Sequence, residues 1–290
     1  MLFSQLEYFV ALAREQHFGR AAASVFISPS TLSEAVSKLE AELGVPLVRR
    51  GRSFQGLTPE GELALLWARR MVADHAALAD ELSAARDRLS TRARFGVIPS
   101  GIEASARILT ALSAQHPFVT ASVSTGLTSE EIVARVRSYE LDAGIIHPSA
   151  ADGPDLHLLP LEAVRAVVVC CDGVFPPEVE EVDGEMLASA PLCLLEPHMR
   201  ARQILDQTLQ EHGLHVYPRI ETDSVESLLS LVMAGPIATV VPSSAVRHPS
   251  NGLRVLPLGN PEVFSPLALV RIAEDPMPPI AAAFDAAAST

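Results

Sequence analysis

Two groups of side chains in this sequence have types and spacings that could do chemistry. The first is basic and hydroxylic. Arg49, Arg50 and Arg52 crowd around Gly51, a cluster of guanidiniums of the kind that grips phosphate oxygens. Just upstream, Ser30, Thr31, Ser33, Ser37 and Lys38 fall on one side of a helical pattern whose other side is Leu32, Val36, Leu39 and Leu43. A small hydrogen-bonding face of this sort can press closely against something polar, and together with the arginines it fits double-stranded DNA. The second group is Ser100, Gly101, Thr125, His147, His198, Arg200, Arg202 and Asp223. They stand where short apolar runs end or helical patterns begin, which in open α/β sheets is where small ligands bind. Ser100 and Gly101 offer a hydroxyl and backbone N–H groups to an anion, and Arg200 and Arg202 a bidentate clamp for a carboxylate. Plainer roles stand beside these: Ser100 as a helix cap, the histidines as packing, the arginines as surface ion pairs.

Other chemistry finds no foothold. There is no Gly-x-Ser-x-Gly elbow, phosphate loop or Gly-x-Gly-x-x-Gly turn, so neither an enzyme nor a nucleotide cofactor is expected. No metal is expected either, because His212-x-x-His215 is interrupted by Gly213 at a helix end. The three cysteines, two of them adjacent at Cys170 and Cys171 and the third at Cys193, form no disulfide framework and read as buried thiols. No run approaches a membrane span, and Glu7 and Glu15 break up what a signal peptide would keep apolar, so a cytoplasmic protein with no membrane partner is expected.

A net charge of −13 argues against a nucleic-acid partner until its distribution is examined. Residues 1–94 carry 12 basic and 11 acidic residues, net +1, whereas residues 95–290 carry 10 and 24, net −14. The acidity lies away from the arginine cluster. Even so, +1 is modest for binding that rests on phosphate neutralisation, which points to a homodimer or homotetramer.

The positioning elements follow from periodicity. Leu6, Phe9, Val10 and Ala13 mark a first helix over Phe3–Arg14, Gly19–Phe26 a short second one, and Ser28 caps a third that begins at Pro29. On periodicity alone this is as much a three-helix bundle as a helix-turn-helix. Leu47–Arg50 and Gln55–Leu57 then read as a small wing. Thr58-Pro59 starts a long helix whose seam is Ala64, Ala68, Met71, His75, Leu78, Leu82, Ala85 and Leu89, and which needs a partner copy. Ser90–Arg94 is a hinge, beyond which strands and helices alternate. Leu156–Leu161 and Ala166–Cys171 read as two separate strands, followed by strands near 192–195, 216–221, 237–241 and 266–272 and a closing helix at Pro279–Ala288.

Leu6-x-x-Phe9, Phe18-x-x-Ala21-Ala22, Ser28-x-x-x-Leu32-Ser33, Leu39-Glu40-x-x-Leu43-Gly44-x-x-Leu47, Arg50 and Leu57-Thr58-x-x-Gly61 together resemble the N-terminal signature of LysR-type transcriptional regulators. The resemblance implies an all-α winged helix-turn-helix over residues 1–58, a linker and dimerisation helix over 59–91, and a two-lobed, periplasmic-binding-protein-like α/β effector domain over 92–290. Lobe I would span about 94–162 and 267–290, lobe II about 163–266. Two residues depart from the family pattern: Pro29 replaces a glutamine that commonly meets DNA, and Glu34 stands where a basic or amide residue is frequent and is expected to pair with Lys38. Arg50-Gly51-Arg52-Ser53-Phe54, Met199-Arg200-x-Arg202-Gln203 and Glu221-Thr222-Asp223-Ser224-Val225 are further similar to LysR-type regulators encoded beside formate dehydrogenase operons, which implies formate or another small carboxylate as effector. The rival readings are a small-molecule-binding α/β module, or an enzyme, without DNA-binding activity.

Overall fold

A computed structural model describes residues 1–50, 54–84, 89–246 and 252–290. The chain divides into two compact units: Met1–Leu89 with the short segment Arg137–Glu140, and Ser90–Val136 with Leu141–Thr290.

In the first unit, α1 (Phe3–Glu15), α2 (Phe18–Ser24) and α3 (Pro29–Leu43) precede a wing of β1 (Val48–Arg50) and β2 (Phe54–Leu57), and α4 (Pro59–Ala84) follows. Each boundary has a local cause. His17 Nδ1 accepts from the N–H groups of Gly19 and Arg20 and so caps α2, a role its residue type does not advertise. Ser28 Oγ accepts from the Thr31 N–H, and Pro29 takes the first helical position, as the sequence indicates. Gly44, with φ at +73°, ends α3 in the left-handed conformation that favours glycine. The Glu40 carboxylate then accepts from the N–H groups of Leu47 and Val48 at 2.9 and 3.0 Å, which fixes where the wing departs. Thr58 Oγ1 caps α4 at Gly61, whose own Cβ, had it one, would lie 2.0 Å from the Leu47 carbonyl oxygen.

The core of this unit is Leu6, Phe9, Leu12, Ala21, Ala22, Leu32, Val36, Leu39 and Leu47, joined by Leu65 and Ala68 from α4. Leu43, expected in the buried stripe, is instead 46% exposed, because the stripe runs past the last turn that α1 and α2 cover. The second helix ends at Ser24, short of the expected Phe26, which takes a positive φ of 58° in the turn. The expected seam of α4 also divides. Ala68 is buried and Ala64 partly so, His75 stacks on Phe3 with ring centroids 4.2 Å apart, and Met71, Leu78 and Leu82 face solvent beside Leu63 and Trp67. Ala85 lies outside the described residues.

The second unit is an α/β structure of two lobes. Its elements are β3 (Arg92–Val97), α5 (Ile102–Gln115), β4 (Thr120–Ser124), α6 (Ser129–Arg137), β5 (Ala143–Ile146), β6 (Leu156–Cys171), α7 (Gly184–Ser189), β7 (Cys193–Leu195), α8 (Arg200–Glu211), β8 (Ile220–Thr222), α9 (Val225–Ala234), β9 (Ala238–Pro242), β10 (Leu253–Pro257), β11 (Phe264–Ile272) and α10 (Pro279–Ala288). In one lobe the order is β6-β11-β5-β3-β4, with β3 parallel to both β4 and β5. In the other, the far half of β6 lies between β10 and β9, while β7 pairs with β8 in parallel and Leu192 bridges to Ala238.

The strand β6 corrects the expectation of two strands. Residues 162–165 lack an apolar alternation, so the sequence reads there as a break. Backbone pairing of Arg165 with Phe264 and of Val164 with Ser265 nevertheless carries the strand through, with a register shift opposite 265–267. Past that point Ala166, Val168 and Cys170 point to one side, into a core with Leu187, Leu205 and Leu209, and Val167 and Val169 to the other, against Val225, Leu228 and Val232 of α9. A strand buried on both faces reads as a continuous apolar run, which is what 166–171 is. Helix α7 and strand β10 were not expected from the sequence, and β3 begins at Arg92, inside the anticipated hinge.

Candidate functional site

On the first unit, Ser30, Thr31 and Lys38 are exposed along α3, with Ser33 and Ser37 half-buried between them. Ser28 Oγ lies 2.8 Å from both Ser30 Oγ and Thr31 Oγ1, a cluster of three hydroxyls at the start of the helix. Ser37 Oγ donates to the Ser33 carbonyl, and Lys38 pairs with Glu34 at 2.8 Å one turn earlier. That bond holds the Glu34 carboxyl below its usual pKa, so a charged pair rides on this face. Arg49 is exposed on β1. Arg50 pairs through its backbone with Phe54, and Arg52 lies outside the described residues.

On the second unit, the ends of β3, β5 and β7 and the starts of α6, α8 and α9 converge on a cleft between the lobes. Its walls include Ile98, Leu127, Leu195, Met199, Val225 and Pro242, and its polar groups are Ser100, Thr128, Ser129, His147 and Arg200. The cleft is open to solvent: the space that water can occupy between its walls is about 30 Å³, and the hollow including its open mouth is about 410 Å³. His147 is the central polar residue: its Nδ1 lies 2.9 Å from the Pro266 carbonyl oxygen and its Nε2 2.9 Å from Ser100 Oγ. A carbonyl only accepts, so Nδ1 carries the proton and Ser100 donates to Nε2. Burial pushes the imidazole pKa down, and Arg200 adds to this, so the ring is neutral at pH 7. The His147 N–H in turn donates to Ser129 Oγ, and Thr128 with Glu131 forms the capping box its spacing indicates.

Arg200 does not reach into the cleft as an open cation. Its Nη1 and Nη2 meet the two oxygens of Asp152 at 2.8 and 2.7 Å, its Nη1 also donates to the His147 carbonyl at 2.7 Å, and its Nε donates to Glu130 at 2.6 Å. Although burial works against the charge, the Asp152 and Glu130 bonds raise its pKa above the ordinary value. Arg200 thereby ties α8 in one lobe to Glu130, His147 and Asp152 in the other.

The remaining expected ligand residues scatter, and two of them correct the expectation. Gly101 donates its N–H to Ile98 at 2.9 Å and is glycine because a Cβ would sit 2.6 Å from Ile145 Cγ2. Arg202 is buried away from the cleft lining, held by the Leu195 carbonyl, Asp206 and Glu221. Thr125, His198 and Asp223 are exposed, and His198 Nδ1 lies 3.1 Å from Glu196. Sequence reasoning missed Asp152, Glu130, Ser129 and Met199. Only the first carried a signal, as an acidic residue in a Gly- and Pro-rich turn. Among the described residues no group of three or more His, Cys, Asp or Glu could hold a metal ion, and no helix is long and apolar enough to cross a membrane.

Residues 3–62 match the family described as bacterial regulatory helix-turn-helix protein, lysR family, and residues 86–288 the family described as LysR substrate binding domain. The chain is 29% identical over 243 residues to a probable hydrogen peroxide-inducible genes activator of Mycobacterium avium, which covers 83% of this chain and 78% of that protein. It is 30% identical over 246 residues to an SDS degradation transcriptional activation protein of a Pseudomonas species, covering 83% and 79%. Among solved structures, full-length OxyR from Pseudomonas aeruginosa superposes with a TM-score of 0.80 at 27% identity, over 99% of this chain and 94% of that one. Full-length CbnR in complex with its target DNA superposes with a TM-score of 0.72 at 22% identity, over 100% and 99%, a likeness of fold.

Proposed function

Because the chain belongs to the LysR family of transcriptional regulators, we propose that α3 and the wing read an operator in double-stranded DNA while a small molecule in the cleft between the lobes modulates that binding. The observation that carries the DNA half is the outward face of α3: short hydroxyl side chains at Ser30 and Thr31, backed by the fully buried Leu32, Val36 and Leu39. Short side chains let the helix sit deep in the major groove, where its first turn meets base edges. Thr31 and Ser30 are the base-reading residues in this account, with Ser33, Ser37 and Lys38 beside them. Lys38 brings little net charge, since Glu34 shares its bond. Arg49, Arg50 and Arg52 supply the phosphate grip and most of the affinity.

Assembly follows from α4. Leu63, Trp67, Met71, Leu78 and Leu82 recur at four- and seven-residue steps and are all exposed, an apolar stripe along a helix of 26 residues, about 39 Å long. A twin α4 from a second copy covers it, giving a homodimer, or a homotetramer if a further surface joins. The regulator acts where the chromosome is, in the cytoplasm. Within the cleft, Ser100 and His147 are the polar contacts for the effector, with Thr125, His198 and Asp223 as candidates at the rim.

The peroxide named for the Mycobacterium relative does not carry over through Cys170 or Cys193. Cys170 and Cys193 are buried, and burial pushes both thiols further from the thiolate that such chemistry needs. The direct test is a mobility shift of the full chain on the DNA upstream of its own gene. Salt-sensitive retardation is expected, with Leu78→Asp plus Leu82→Asp weakening it through loss of the dimer. Absence of retardation on that DNA at low salt refutes the reading.

A further inference from the structure

We infer that the effector is an uncharged small molecule with an apolar body and a hydrogen-bond donor, and not the small anion that the sequence led us to expect. This rests on the reading of the cleft as the effector site and names what that site selects. Three observations converge on it.

The first is charge compensation. Arg200 is the one cation lining the cleft among the described residues, and it already faces two carboxylates. Asp152 is 2% exposed and Arg200 11%, so this bidentate pair is desolvated and complete. An incoming carboxylate would have to evict Asp152 into apolar surroundings or settle beside it and Glu130 as a third negative charge around one positive charge.

The second is hydrogen-bond direction. Ser100 donates its hydroxyl hydrogen bond to His147 Nε2, and the neutral imidazole donates its Nδ1–H to the Pro266 carbonyl. What Ser100 presents at the centre of the cleft is acceptor capacity, which an alcohol or amide can satisfy and a carboxylate cannot, while Ser129 and Thr128, whose oxygens accept from the His147 and Glu131 N–H groups, add neutral hydroxyls and no positive charge. Apart from Ser100, Thr128, Ser129, His147 and Arg200 the wall is apolar, from Ile98 and Leu127 in one lobe to Leu195, Met199 and Val225 in the other.

The third is the surrounding field. Ser100 also borders a wider groove of about 310 Å³, where Arg107 faces Glu162 at 3.7 Å on the exposed surface and Arg165 pairs with Glu262 at 2.7 Å, with the Arg165 Nε buried and unpartnered. Residues 95–290 carry a net charge of −14, which repels anions from the approach.

The test uses the full chain and two matched pairs of probes, benzyl alcohol against benzoate and isobutanol against isobutyrate, read by titration calorimetry and by the thermal transition of the second unit. At least one alcohol is expected to bind at least about tenfold tighter than its carboxylate. Ala201→Phe, which fills the cleft, is expected to abolish that binding. Glu130→Gln, a change at a side chain 53% exposed that leaves the fold intact, is expected to improve carboxylate binding severalfold by removing one of the two negative charges. Carboxylates binding the unaltered protein more tightly than the alcohols, with binding lost in Ala201→Phe, would overturn the ligand class and leave the cleft as the effector site. No probe binding, or binding that Ala201→Phe does not change, would overturn both.

Discussion

Replacing Arg200 by glutamine takes one partner out of an ion pair that the fold has already removed from water. Asp152 would keep the Ser149 N–H at 2.7 Å but lose two guanidinium bonds while remaining 2% exposed. Stranding a buried charge in this way costs about 3–5 kcal/mol. The Glu130 arm adds little, about 1 kcal/mol at most, because that carboxylate is more than half solvated. For a unit of this size, 1 kcal/mol moves the midpoint by roughly 2–4 °C, so a loss of about 3 kcal/mol lowers it by about 6–12 °C. Scanning calorimetry on the full chain should show that drop in the transition of the second unit. The double variant Arg200→Gln with Asp152→Asn leaves no buried charge and should recover a good part of the loss, a coupling of about 1.5–3 kcal/mol in a double-mutant cycle. A drop below about 2 °C for the single variant, or strict additivity in the cycle, would show that the pair does not hold the lobes as described.

The other expectations concern packing, capping and protonation. Leu32→Ala opens a cavity beneath the hydroxyl face of α3 and should cost about 2–5 kcal/mol, so that chemical denaturation unfolds the first unit early while the second is unaffected. Ser28→Ala removes the cap and should cost about 1 kcal/mol by the same measurement, with Ser28→Gly milder. His147, whose folded pKa lies below its ordinary 6.5, stabilises the fold fully above that pH. As pH falls below about 6.5 the unfolded chain takes up a proton that the folded chain refuses, so stability declines toward the lower folded pKa at up to about 1.4 kcal/mol per pH unit. Midpoints measured at neutral and mildly acidic pH should therefore differ more for the natural protein than for His147→Gln, and equal differences would refute the assignment.

The parts of this molecule that were legible in the sequence are those whose causes lie within a few residues. Ser28-Pro29 announces a helix start because cap and proline act on adjacent backbone, and Leu32, Val36 and Leu39 announce its buried side by their spacing alone. The alternation of apolar runs and helical patterns after residue 94 likewise gave the α/β class. What was not legible depends on partners distant in sequence. Arg200 reads as an available clamp until folding brings Glu130 and Asp152 to it from 70 and 48 residues away. Gly101 reads as an anion donor until its N–H is seen to bond Ile98. The crossing part of β6 lacks a strand pattern because pairing with β11, not burial of its side chains, keeps it extended.

The central claim is that the first unit grips DNA mainly through the wing arginines and reads it through the first turn of α3. Fluorescence anisotropy of the full chain on its own upstream DNA, measured over a range of salt concentrations, tests this most directly. Log affinity is expected to fall linearly with log salt, by about 0.9 for each phosphate neutralised. Arg49→Ala should flatten that slope by about one phosphate on any DNA, whereas Thr31→Ala should leave the slope alone and narrow the gap between upstream and unrelated DNA by about 1–3 kcal/mol. Affinity that does not vary with salt, or a Thr31→Ala variant that loses unrelated DNA as much as upstream DNA, would contradict the account.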